Sequence, residues 1–145
     1  MFDLVQALFL LHAASTWYMV GLIWFVQVVH YPLLAAVGSE QFSEYERCHV
    51  ALTTWVVGPP MLIELSTAVS LLWMRPGAVE LWQVWAGLLA LLLIWASTMF
   101  LQVPCHDILS RSFDESAHRR LVRTNWLRTL AWSFRGFVVL LMQSV

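Results

Sequence analysis

Lysine is absent from this chain and charge of either sign is scarce: every basic residue is Arg, and charged side chains make up 12% of the sequence. Soluble domains carry roughly one-quarter charged residues. With 60% of its 145 residues hydrophobic, the chain has too little polar surface to cover a water-soluble fold, so lipid is the expected solvent. A net charge of -1 and the lack of a basic run with interleaved aromatics exclude nucleic acid as a partner. Cysteine is nearly missing too. Cys48 and Cys105 stand far apart with no CxxC pattern, which excludes a disulfide framework and a thiolate metal motif. There is no nucleotide loop, Gly-rich phosphate cradle, Ser-His-Asp set, internal repeat or low-complexity tract. No basic residue precedes the first apolar stretch and no small-residue cleavage site follows it, so that stretch is expected to be a retained helix.

Against these absences stand long apolar runs and nine Trp, a residue that favours the boundary between lipid and water. The runs cover about 4–35, 42–74, 79–103 and 114–143, the third stopped by Pro104 and the fourth opened by Asp114 as N-cap. Each supplies the ~20 residues that cross a bilayer core, and each should be a helix, because lipid offers the backbone no hydrogen-bond partner. The fold class expected is all-α: one integral membrane domain over residues 1–145, an up-down antiparallel bundle of four transmembrane helices. Gly58-Pro59-Pro60 should kink the second helix. Arg47, Arg111, Arg119, Arg120 and Arg123 gather in the loops of one face. The positive-inside tendency makes that face cytoplasmic and puts both termini on the other side of a cell membrane.

The few polar groups fall into stripes. His12, Thr16, Gln27 and His30 lie within about 60° of one helical line, and such a stripe should face the bundle interior. The second helix aligns Glu46, His49 and Thr53, and the fourth aligns His118, Asn125, Arg128, Thr129 and Trp132. Depth sorts them into two sets. On the cytoplasmic rim stand His30, Tyr31, Tyr45, Glu46, His49, Cys105, His106, Asp107, Asn125 and Arg128. His30, His49, His106 and Glu46 have the ligand chemistry of a transition-metal or haem site, and Glu46 and His49 form a Glu-x-x-His pair. The same histidines also suit a role as interfacial caps. Deeper, Glu64 and Arg135 reach similar depths and are expected to pair, with His12 approaching from the outer side.

Val103-Pro104-Cys105-His106-Asp107-Ile108-Leu109, followed by Asn125-Trp126-Leu127-Arg128-Thr129, resembles the signature of the anthrone-oxygenase-like membrane proteins. In that family a Val-Pro turn with a following Asn or His precedes a fourth helix opening with Asn-x-x-Arg-Thr. Pro32 and Pro59-Pro60 sit where the family also tends to carry prolines. The resemblance implies a four-helix membrane fold and, for some fungal members, oxygenation of a polycyclic anthrone to a quinone, with no metal or flavin motif. It extends to Pro104, His106, Asp107, Asn125, Arg128 and Thr129, but not to His30, Glu46 or His49.

Three functions stay open at this level. The first is an oxidoreductase or oxygenase acting on a lipophilic aromatic or quinone-like molecule. His106 or His49 would serve as general base, with Asp107 beside them and Asn125 and Arg128 stabilising an oxyanion. The second is a haem or metal protein using the rim ligands. The third is a small transporter or accessory subunit, homo-oligomeric, in which Glu64, Arg135 and His12 hold helices together.

Overall fold

The structure, a computed structural model, describes residues 3–143 and is all helical, with no strand among those residues. Helix α1 (Leu4–Phe25) passes through a π-helical turn, Val26–His30, into α2 (Tyr31–Leu34). Helix α3 spans Phe42–Ser70 and α4 spans Leu81–Ser97. A second π turn, Thr98–Gln102, joins α4 to α5 (Val103–Leu109), and α6 runs Glu115–Gln143. Three continuous runs, Leu4–Leu34, Phe42–Ser70 and Leu81–Leu109, are long and apolar enough to cross a membrane. The last helix falls outside that set because Arg119, Arg120, Arg123, Arg128 and Arg135 lower its hydropathy.

Three boundaries differ from expectation. Pro104 does not stop the third run, which continues to Leu109. The reason is local: Pro104 and Pro32 each stand at the second position beyond a π turn. Proline lacks the N–H that would close the α ladder. The wider π turn sets the backbone ahead of each proline, so the rod continues. The second run ends earlier than expected, at Ser70, and the third begins at Leu81, with Met74-Arg75-Pro76-Gly77 left to the connection. Helix α3 passes through Pro59 and Pro60 without losing its helical character. Asp114 caps α6, its Oδ1 accepting from the Ala117 N–H at 2.7 Å.

Packing follows the sequence stripes. Helix α1 packs on α3 and α6, and α4 packs on α6. Core clusters succeed one another along the rods. One joins Tyr31, Leu34, Phe42, Cys105, Leu109, Ala117 and Leu121; the next joins Met19, Ile23, Met61, Ile94, Ala131 and Trp132. A third gathers Leu71, Val79, Val84, Val138 and Met142. Gly136 lets α1 and α6 approach closely, since a Cβ there would lie 3.2 Å from Val20 and 3.3 Å from Trp17. The outside is as oily as the inside: Trp55 is 81% exposed and Phe100 75%, among many large apolar side chains turned outward. That surface suits lipid, not water.

Candidate functional site

Polar side chains from four elements meet where the first core cluster ends. On α3, Glu46 and His49 share a face at i, i+3 spacing, and α5 brings His106 against them. His106 Nδ1 lies 2.5 Å from Glu46 Oε1, and its Nε2 lies 3.0 Å from the Tyr31 hydroxyl. A carboxylate can only accept, so a neutral His106 facing Glu46 carries its proton on Nδ1 and takes the tyrosine O–H at Nε2. His49 Nδ1 lies 3.0 Å from both His30 Nε2 and Thr53 Oγ1, and the His30 and His49 rings stack with centroids 4.4 Å apart. One ligand atom each from Glu46, His49 and His106 lie within 4.8 Å of one another. Glu46 is fully buried, and its Oε2 has no hydrogen-bond partner.

Tyr31, His49, Thr53 and His106 of this cluster form one wall of a cavity of about 460 Å³. Met19, Ile23, Val57, Met61 and Trp95 give it an apolar body; Tyr31, His49, Thr53, His106 and Arg128 give it a polar end. Val50 and Thr54 on α3 and Val103 on α5 line it while remaining exposed, so the cavity reaches the surface between those helices. Such a shape, apolar with a few convergent polar groups, is that of a small-molecule site. Arg128 is buried with its guanidinium 5.2 Å from the Trp132 ring centroid, and its Nη1 donates to Asn125 Oδ1 at 3.2 Å. Asn125 Nδ2 in turn donates to Gln27 Oε1 at 2.9 Å, and Gln27 Nε2 to the Val122 carbonyl at 3.2 Å. That chain fixes the arginine from behind.

Several sequence-derived placements need correction. Asp107 lines the cavity beside His106, but its carboxylate pairs with Arg111 at 2.7 Å, both side chains being exposed. Asn125 does not line the cavity but holds Arg128 from behind. His30 touches His49 rather than the centre of the cluster, so it orients an imidazole instead of joining the ligand atoms. Cys105 is buried in the apolar cluster and exposed Cys48 lies against Glu44, which leaves no thiolate at the site.

The deep pair is present. Arg135 Nε donates to Glu64 Oε1 at 2.8 Å, Thr16 Oγ1 donates to the same oxygen at 2.8 Å, and Trp132 Nε1 donates to Oε2 at 3.0 Å. Arg135 also donates to the Gly87 carbonyl through Nη1. His12 approaches the pair without a hydrogen bond to it: its Nδ1 lies 2.9 Å from Thr67 Oγ1, one turn further along α3, and it lines one small cavity with Arg135. Thr16 and Trp132 were visible only as members of polar stripes. Their bond to Glu64 depends on the relative rotation of three helices, which no single stripe records.

Fold and site together define a class: an all-helical chain with apolar helices fit for a bilayer and a part-buried Glu-His-Tyr chain that ends on the wall of an apolar cavity. No protein-family model, curated protein or solved structure matches it.

Proposed function

We propose that this chain is a four-helix, antiparallel integral protein of the cell membrane, its second helix kinked at Pro59-Pro60. In this reading it is an oxidoreductase of the anthrone-oxygenase type, acting on a lipophilic aromatic or quinone-like molecule. The cluster end faces the cytoplasm and both termini lie on the other side. The substrate enters the cavity from the lipid, between α3 and α5. The observation that carries the reading is the Glu46–His106–Tyr31 chain ending on an apolar cavity beside Arg128.

A ketone with an acidic neighbouring C–H fits this chemistry. Its proton passes to Tyr31 as the tyrosine proton moves to His106 Nε2, and Glu46 stabilises the imidazolium so formed. The electron pair left on the substrate spreads onto its oxygen, where the Arg128 guanidinium offsets the charge. Molecular oxygen is the electron acceptor: one of its atoms becomes the new carbonyl oxygen and the other leaves as water, so a CH2 group becomes C=O. Apolar walls keep bulk water from the carbanion.

Oxygen uptake by the protein in lipid nanodiscs supplied with anthrone tests the reading. Uptake with stoichiometric quinone formation is expected, and His106→Ala should lower the rate by about 100-fold or more. Uptake no greater than that of empty nanodiscs across anthrone and quinol substrates, or full activity in His106→Ala, overturns it.

A further inference from the structure

We infer that Glu46, His49 and His106 hold one divalent transition-metal ion, whose open coordination positions face the cavity. The inference rests on the cavity being the substrate chamber and adds a resident ion to it. Three independent observations carry it. The first is convergence: one ligand atom from each residue lies within 4.8 Å of the others, two from α3 and one from α5.

The second is the way each imidazole is held. Histidines that bind a metal through one ring nitrogen almost always fix the other on a neighbouring polar group, and this sets tautomer and ring angle. His106 has Nε2 on the Tyr31 hydroxyl, which leaves Nδ1 turned to Glu46. His49 has Nδ1 on Thr53 and His30, which leaves Nε2 for an ion. Both rings thus have one anchored and one ligating nitrogen.

The third observation is the orphaned oxygen of Glu46. A fully buried carboxylate oxygen without a donor is costly, and a cation relieves it. Two imidazoles and one carboxylate with positions left open is the donor set of non-haem Fe(II) oxygenases; magnesium and calcium favour all-oxygen sites. The ion enters between the Glu46 carboxylate and His106 Nδ1, taking the orphaned Oε2 together with Oε1, and lengthens the Oε1–Nδ1 contact. His106 then keeps its proton on Nε2 and donates that N–H to the Tyr31 oxygen, so in the metal-loaded chain Tyr31 takes the substrate's proton as a tyrosinate, in place of the relay to His106.

The test uses the detergent-purified, EDTA-stripped full chain, loaded with Fe(II) or Co(II) without oxygen, desalted and assayed for metal. One ion per chain is expected, and Cu(II)-loaded protein should show nitrogen superhyperfine splitting from two imidazoles in its EPR spectrum. Glu46→Gln, His49→Ala and His106→Ala should each weaken Co(II) binding by about 100-fold or more, and Tyr31→Phe by roughly 10-fold. Glu44→Gln, which alters an exposed carboxylate paired with Arg47, should bind as the parent does. The wild-type EPR spectrum needs no variant to fold. Failure to load, a spectrum without imidazole nitrogen, or binding unchanged by all three ligand variants overturns the site. Full anthrone turnover by protein that takes up no ion on loading overturns the metal alone, whereas stoichiometric metal without any turnover overturns the oxidoreductase reading and leaves the metal site standing.

Discussion

Glu64 and Arg135 show how a charged pair persists among apolar helices. Both are almost wholly buried, and the carboxylate accepts three hydrogen bonds, from Thr16, Trp132 and Arg135. Removing one charge leaves the other stranded, which costs about 3–5 kcal/mol in buried pairs. Glu64→Gln should therefore lower the unfolding midpoint of the detergent-solubilised protein by that order. Combining it with Arg135→Met, which removes both charges, should restore much of the loss. The double variant separates a packing role from a chemical one: restored stability with unchanged oxygen uptake assigns the pair to helix register. Unchanged stability in Glu64→Gln alone would mean that the pair holds nothing together. The pairing of Glu64 with Arg135 was legible in the sequence, because equal depth and opposite charge leave few alternatives. His12 stands beside Arg135 as its depth suggests, but its hydrogen-bond partner Thr67 is a neutral hydroxyl, which gives no electrostatic signal in a sequence.

At the scale of elements, the π turns decide what the site contains. A π turn carries one extra residue, so the helix beyond it is rotated by about 100° relative to an unbroken α-helix. The second turn, Thr98–Gln102, is steadied across its length by Ser97 Oγ donating to Gln102 Oε1 at 2.9 Å. Beyond it, α5 presents His106 to Glu46. Deleting Met99, which is exposed, should return the segment to regular α-helix and swing His106 away from Glu46. Circular dichroism should show retained helix content, while Co(II) binding falls as far as in His106→Ala. Unchanged Co(II) binding would show that the turn does not set the register of α5. The prolines are plain in the sequence, yet Pro104 reads there as a stop. The pattern of apolar residues continues through Pro104 to Leu109, but hydrophobic periodicity does not reveal a one-residue bulge. The convergence of Glu46, His49 and His106 was therefore only half legible. The Glu-x-x-His spacing on α3 was evident, but the rotation that brings α5 to it was not.

Over the whole molecule, charge and cavity share one end. Arg47, Arg111, Arg119, Arg120 and Arg123 ring the end that holds the cluster, while Arg75 stands alone in the connection between α3 and α4. Short loops rich in Arg stay on the cytoplasmic side, which under the proposed topology puts the cluster near the inner leaflet. The cavity then meets the acyl chains between α3 and α5, so a lipophilic substrate need never cross water to reach Tyr31. Reporter fusions test this arrangement. Alkaline phosphatase, active only outside the cytoplasm, should be active when fused at the C-terminus and inactive when inserted after Ser112, between α5 and α6. Replacing Arg119, Arg120 and Arg123 together with Gln should weaken that bias and produce a mixed population. The reverse pattern of phosphatase activity would turn the cluster to the outer leaflet. Its geometry would survive that result, but entry of the substrate from the inner leaflet would not.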